Sequence, residues 1–278
     1  MKYFVLYHGD CRDGFGAAYA IWKKMPKEDI TYIPCQHGTP LPDITIDKDT
    51  TIYVVDFSFA REVLIEWHKK AAEVLVIDHH ITARENLENL DFAQFDLNHS
   101  GAILVWKYFH GADSTPPKFL EHIEDMDLWT FKIEGTKRVC AAINSYPYEF
   151  SIWDTFADAD GLERLHGEGA VIDRFVNQQV KILCKEATFI DIGEYKNIPA
   201  VNSPLFVSET CAELLNIYPD APLSSAFFQV EKTRRVFSLR SRKGGTDVSK
   251  LAKQFGGGGH PSASGFSVTI PPTSAKPK

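Results

Sequence analysis

The strongest constraint on this chain's fold is an alternation that runs through its first eighty residues. "YFVLY" at 3–7, "TIYVVDFS" at 51–58 and "EVLVIDHH" at 73–80 are short β-branched and aromatic runs with little polar alternation. That is the pattern of strands buried on both faces of a parallel sheet. Between them lie "GFGAAYAIWKKM" at 14–25 and "AREVLIEWHKKA" at 60–71. Their apolar residues recur at three- and four-residue spacing and the remainder is charged, as in helices that turn one face to a core. Strand, helix, strand, helix, strand predicts an α/β domain with a doubly wound, mostly parallel sheet. The segment "ITYIPCQHG" at 30–38 offers a further strand.

After "SGAILVWKYFH" at 100–110, the stretch "PPKFLEHIEDMDLWTF" at 116–131 reads as helix running into a polar turn. A long helical pattern from about 160 to 190 follows, a connector between domains. The 278 residues suit two domains: residues 1–160, a linker helix over 161–194, and a smaller α/β domain with a mixed sheet over 195–278. In the last part, "SETCAELLNIYP" at 208–219 and "DVSKLAKQF" at 247–255 read as helices. "SSAFFQVEKTRRVFSLRS" at 224–241 reads as two strands around a charged turn, and "GFSVTI" at 265–270 as a last strand before a frayed tail. Arg242 and Lys243 read as a solvated charge run.

A formal charge of −7 excludes a chain that holds nucleic acid through its overall field, although a local basic groove stays open. The five cysteines are odd in number, far apart and never in CxxC spacing, against a disulfide framework or a zinc knuckle. The N-terminus lacks a signal-peptide core and no eighteen apolar residues run together, so the expectation is a cytoplasmic protein without a membrane span.

Ligands of doubly wound sheets gather beyond the carboxyl ends of the strands, where loops diverge and helix N-termini present free N–H groups. Here those ends carry His8, Asp10 and Asp13, then Asp56, then Asp78, His79 and His80. Singly, each has an ordinary explanation: an aspartate there more often caps a helix, and a lone histidine more often sits satisfied in a core. Jointly, so many acids and imidazoles at adjacent strand ends would repel and be partly desolvated without cations. Carboxylates with imidazoles suit two divalent ions of the manganese or magnesium kind, which need about six ligands and usually a shared carboxylate.

In order and separation, "HGDCRDGFGAA", "VVDFS", "VIDHH", "IEDMDLW" and "GGGGHPSASGF" resemble the DHH phosphoesterase superfamily with its DHH-associated C-terminal domain. That group contains nano-RNases, RecJ-like exonucleases and dinucleotide phosphodiesterases, and the resemblance spans nearly the whole chain. It implies metal binding by His8, Asp13, Asp56 and His79, with Asp56 bridging two ions, and by Asp125 in the fourth motif, Asp127 being the second choice. It also implies catalytic roles for His80, facing the scissile phosphate, and for Asp78, as a ligand or as the orienter of a histidine. The first motif departs from the family's spacing: Asp13, followed by Gly-Phe-Gly, matches well, whereas Asp10 is either a ligand or a loop carboxylate.

In the C-terminal motif, consecutive glycines can turn backbone N–H groups toward a phosphate, Arg240 can grip one with two donors, and His260 adds a donor or a stacking plane. The substrate-binding set is then Arg240, Ser241, Gly257, Gly258, Gly259 and His260. The implied function is metal-dependent hydrolysis of phosphodiester bonds in short oligonucleotides or linear dinucleotides, giving mononucleotides. Two Mn2+ ions are the expected cofactors, with Mg2+ or Co2+ as alternatives, and the attacking hydroxide would form at the metal pair in a cleft between the domains. Cyclic-dinucleotide or nucleotide-phosphate cleavage, pyrophosphate or polyphosphate hydrolysis, and a non-catalytic nucleotide sensor are the competing readings. The resemblance is compatible with a homodimer.

Overall fold

The computed structural model describes residues 1–26, 29–230 and 233–270. The charged turn expected around 231–232 and the tail beyond Ile270 lie outside the described residues. Two compact units divide the chain, Met1–Asp173 and Arg174–Lys278.

The first unit runs β1 (Lys2–His8), α1 (Arg12–Lys24), β2 (Ile30–Cys35), β3 (Thr50–Val55), α2 (Arg61–Lys70), β4 (Glu73–Asp78), α3 (Ile81–Asn86) and β5 (Ala93–Phe95). It continues with α4 (Gly101–His110), α5 (Lys118–Asp127), α6 (Thr136–Ile143), α7 (Phe150–Asp154) and α8 (Ala159–Lys185), the unit boundary falling inside α8. Its five strands lie in the order β2-β1-β3-β4-β5, and every pairing is parallel. The doubly wound sheet expected from the apolar runs is therefore present. The chain leaves β1 toward β2 on one side and returns as β3 on the other, so the switch in strand order falls at the carboxyl end of β1.

The absence of polar alternation in the strands has a direct cause: both faces are covered. Val5, Tyr53, Val55, Leu75 and Ile77 face one core with α1, α4, α5 and α6. Their neighbours Leu6, Ile52, Val54, Val74 and Val76 face a second core with Leu64 and Trp67 of α2. Residue by residue the strands thus divide between two cores, as a period of two requires. The first core is aromatic, with Phe15, Tyr19, Phe119, Trp153 and Phe156 at most 2% exposed. Each such side chain contributes about 1.5–3 kcal/mol by leaving water.

The second unit contains β6 (Thr188–Ile192), β7 (Tyr195–Asn202), α9 (Val207–Ile217), β8 (Ser224–Val230), β9 (Arg234–Arg240), α10 (Val248–Gln254), β10 (Gly258–His260) and β11 (Ala263–Thr269). Its sheet, β10-β11-β9-β8-β7-β6, is mixed: β7 and β8 run parallel and the remaining pairs antiparallel. Helix α10 packs on one core through Val248, Leu251 and Ala252, and α9 on another through Leu214. The helical pattern read to about residue 190 stops at Lys185, because Thr188 onward pairs with β7.

Arg242 and Lys243 are both exposed, as the charge run suggests, yet Arg242 also has a fixed partner set. Its guanidinium donates to the carbonyls of Leu215, Tyr218 and Ala221, at and beyond the end of α9, where carbonyls lack intrahelical partners. A charge letter does not reveal this role, because the carbonyls it satisfies belong to a helix more than twenty residues away in sequence. Arg242→Ala is expected to cost roughly 0.5–1.5 kcal/mol, discounted for the residue's exposure. Urea unfolding monitored by circular dichroism reads that loss, and Arg242→Lys should restore only part of it, having no planar fork.

Candidate metal centre

The carboxyl ends of β1, β3 and β4 lie side by side, and the loops after them converge. His8 ends β1, Asp56 follows β3, and His79 and His80 follow β4. At Asp56 the backbone enters the left-handed region, φ 52°, while its N–H still donates to Ile77 O at 3.0 Å. Aspartate tolerates that conformation better than most residues. The side chain is 2% exposed.

His79 Nε2 is ringed by carboxylates: Asp56 Oδ1 at 3.2 Å, Asp127 Oδ2 at 3.6 Å and Asp13 Oδ2 at 3.7 Å. On the other side of Asp56, Oδ2 faces His8 Nδ1 at 3.6 Å and Cys11 Sγ at 3.7 Å. The two oxygens of one buried carboxylate therefore look toward two separate sets of donors, Asp13, His79 and Asp127 on one hand and His8 and Cys11 on the other.

Helix α4 locks this arrangement. Its first N–H groups, Gly101 at 2.6 Å and Ala102 at 3.0 Å, donate to the two oxygens of Asp13, as suits an anion at a helix N-terminus. Gly101 must lack a side chain, since a methyl there would stand 2.6 Å from Asp56 Cβ and 2.8 Å from its Oδ1.

Asp78 orients the His80 ring. Its Oδ1 accepts from His80 Nδ1 at 2.7 Å, from His79 N at 2.7 Å and from His80 N at 3.2 Å. Asp78 thus orients His80, and Asp56, Asp78, His79 and His80 also form one group close enough to share an ion, so both alternatives left by the sequence are compatible with the geometry.

Asp125 and Asp10, both expected as ligands, are placed elsewhere. Asp125 sits in the last turn of α5, and its oxygens are taken up by the following loop. Thr130 Oγ1 at 2.5 Å and Lys132 N at 2.7 Å donate to Oδ1, and Thr136 Oγ1 at 2.6 Å and Ile133 N at 3.0 Å donate to Oδ2. It holds a turn in which Trp129 and Phe131 both have positive φ, and Asp127 stands beside His79 instead. Two residues of helix rotate a side chain by about 200°, so both aspartates of "EDMD" cannot face the same point. Asp10 is exposed, has φ 53°, and accepts from Gln36 Nε2 at 2.6 Å. Cys11 lies against Asp56 in its stead. Sequence reasoning passed over Cys11, and the available signal was the extra residue between Asp10 and Asp13. It also passed over His37, stacked on Phe57 with centroids 4.5 Å apart and 6.1 Å from His8.

Charge in the cluster is unevenly held. Burial works against a charged Asp56, but the contacts from His79 and His8 outweigh it and keep its carboxyl far below the ordinary range. Burial, then Asp56 and Asp127, push Asp13 well up; burial likewise raises Asp127. Burial opposes a charge on His79, yet Asp56, Asp13 and Asp127 prevail and push it up to about 10. Asp78 does the same for His80 against burial, to about 9. Positive charge is thus stabilised at the place where three carboxylates converge.

The donors present fit divalent ions. Asp56 is 2% exposed, with Oδ1 3.2 Å from His79 Nε2 and Oδ2 3.6 Å from His8 Nδ1, so this buried carboxylate is met by groups that themselves bind metal ions. Around it stand carboxylate oxygens and imidazoles, the donors that manganese-type ions prefer.

In the second unit, Arg240 ends β9, its Nη1 donating to Leu239 O at 2.9 Å and its Nη2 to Ser208 Oγ at 2.8 Å. Ser241 is turned inward, Oγ donating to Thr246 O at 2.6 Å, so its hydroxyl braces the loop. Gly258, Gly259 and His260 form β10, the edge strand beside β11. Gly257 is a glycine for a packing reason, since a methyl there would meet Gly265 O at 2.0 Å. Gly258 and Gly259 are strand, and Gly256 and Gly257 form the turn that leads into it from α10.

No protein-family model matches the sequence. Protein R106 of Acanthamoeba polyphaga mimivirus, itself uncharacterised, is 31% identical over 283 aligned positions, covering 95% of this chain and 67% of that protein. Among solved structures, exonuclease RecJ bound to manganese is similar at 14% identity and TM-score 0.50, over 96% of this chain and 86% of that one. RecJ in complex with Mn2+ from Thermus thermophilus is similar at 14% identity and TM-score 0.50, over 96% of this chain and 49% of that one. At such identities the likeness is one of fold.

Proposed function

This chain has the fold of the DHH phosphoesterase superfamily and belongs to one family with mimivirus protein R106, and from that premise we propose that it is a divalent-metal-dependent phosphodiesterase acting on short oligonucleotides or linear dinucleotides. One observation carries the reading: a single buried carboxylate, Asp56, turns one oxygen to His79 and the other to His8. That disposition suits an acid shared between two ions. Asp13, His79 and Asp127 would hold one ion and His8 the other, with Asp56 common to both. Manganese is the first choice, as in the RecJ structures.

When bound, such ions make water acidic enough to supply a nucleophile near neutral pH and neutralise charge on phosphate. The protein's own groups do the rest. His80, fixed by Asp78 through Nδ1, presents its Nε2 edge as a proton donor to a phosphate oxygen. Asp13, anchored on the first turn of α4, keeps the liganding carboxylates from shifting as substrate charge arrives. In the second unit, Arg240 and the β10 edge provide donors for nucleotide phosphate. The net charge of −7 disfavours long duplexes, which are held by many phosphate contacts, and favours short substrates.

The test is a panel of pGpG, pApA, cyclic dinucleotides, RNA of two to ten nucleotides, pyrophosphate and bis-p-nitrophenyl phosphate, with Mn2+ or Mg2+. Turnover is expected on the linear dinucleotides and shortest RNAs; a folded protein that turns over none of the panel refutes the assignment. Arg240→Ala should raise KM for dinucleotides by about tenfold, on the order of one charged hydrogen bond. It should leave kcat on bis-p-nitrophenyl phosphate near the wild-type value. Equal loss on both substrates contradicts a role for Arg240 in nucleotide binding.

A further inference from the structure

The two donor sets that share Asp56 differ in chemical kind. Asp13, His79 and Asp127 supply carboxylates and an imidazole, whereas the other set is His8, Cys11 and Asp56, with all three donor atoms within 4.8 Å of one another. The sulfur is there because the loop after β1 turns Asp10 outward to Gln36 and brings Cys11, at the N-cap of the 13-residue helix α1, in against Asp56.

We propose that Cys11 is a thiolate ligand, so that the ion pair is asymmetric: a His8–Cys11–Asp56 position for a borderline-soft ion such as Zn2+ or Co2+, beside an oxygen-rich Asp13–His79–Asp127 position for Mn2+ or Mg2+. The inference deepens the proposed function and rests on it, since it takes Asp56 as a shared metal ligand.

Three observations support the assignment. Neighbouring donors of a tetrahedral ion with ordinary zinc–nitrogen, zinc–oxygen and zinc–sulfur lengths stand roughly 3.3–3.5 Å apart. The His8 Nδ1 and Cys11 Sγ distances to Asp56 Oδ2, 3.6 and 3.7 Å, need only a small contraction. Asp56 is 2% exposed, and its Oδ2 is the oxygen that faces both His8 Nδ1 and Cys11 Sγ while Oδ1 faces His79 Nε2, so the His8–Cys11 set has its own carboxylate oxygen. Finally, thiolate is the donor that discriminates among divalent ions, favouring zinc and cobalt over manganese and magnesium. On binding, a sulfur–metal bond forms and the thiol proton passes to water; no redox partner is involved.

Cobalt(II) is the probe, because a thiolate ligand adds a sulfur-to-metal charge-transfer band in the near ultraviolet that oxygen and nitrogen ligands do not. The metal-free full-length protein is titrated with Co2+, and bound metal is counted by atomic emission after dialysis. The wild type should develop the band with saturation at one equivalent. Cys11→Ser, checked for folding by circular dichroism, should lose the band and still bind cobalt at the other position. Cys11→Asp, which restores a third ligand, should lose it too and shift the Mn2+-to-Co2+ affinity ratio at least about tenfold toward manganese. A band that survives in both variants would trace to Cys35, Cys140, Cys184 or Cys211 and overturn the proposal. So would cobalt bound to wild type without a sulfur band. If wild type binds no divalent ion at all, the phosphodiesterase reading fails with it, an outcome separable from a sulfur-free metal site.

Discussion

Asp56→Ala is expected to abolish phosphodiesterase activity and to deplete bound metal together, while the protein stays folded. The activity loss should be on the order of 10³-fold or more, the scale seen when a group that acts in a unit is removed. Because the Asp56 oxygens face His79 and His8 separately, its loss should weaken both ion positions rather than one. The variant loses a desolvated carboxylate, but alanine tolerates φ 52° less well than aspartate, and His79 and His8 lose their ion-pair partner, so thermal stability in the absence of metal should stay near the wild-type value or fall slightly. Metal analysis, turnover of a linear dinucleotide and the unfolding midpoint without metal make up the measurement. Full metal content in an inactive, folded variant would remove Asp56 from the centre.

The two aspartates of "EDMD" should part company just as sharply. Asp125→Ala removes a carboxylate, 4% exposed, that accepts four hydrogen bonds from the 130–136 loop. It should cost about 2–4 kcal/mol of stability, since two amides and two hydroxyls lose their acceptor. Asp127→Ala, at a side chain 29% exposed beside His79, should leave the unfolding midpoint nearly unchanged and cut metal affinity and turnover by at least about 100-fold. Denaturant unfolding and metal titration of the two variants decide the matter. The reverse pattern, Asp125 costing metal and Asp127 costing stability, would exchange their roles.

The architecture of the first unit is legible in the chain because its strands are covered on both faces and its helices on one, and each condition writes its own period. The short strand β5, only three residues, and the five-residue α7 leave no such period and escape detection. That His8, Asp13, Asp56 and His79 gather is readable because each ends a strand or opens a helix at a place the topology dictates. Which aspartate of "EDMD" stands beside His79 is not, because it depends on which side of the last turn of α5 faces β4, and residue spacing alone does not say. Cys11 escaped for a related reason: whether a loop turns its aspartate inward or its cysteine is decided by backbone angles, here the positive φ at Asp10. Arg242 shows the limit from the opposite side, as a surface-looking letter whose role is set by helix carbonyls distant in sequence.

The bond from α4 to Asp13 ties residue 13 to residues 101 and 102, and Asp127 joins later still in the chain. A ribosome that has delivered the first three strands of the centre has delivered His8, Asp13, Asp56 and His79, but neither the helix that clamps Asp13 nor the last carboxylate. On the proposed ligand set, high-affinity ion capture is expected only once the part of the chain through α5 has emerged and docked, so a chain truncated before α4 should bind divalent ions weakly, and metal uptake would report when the first unit has closed.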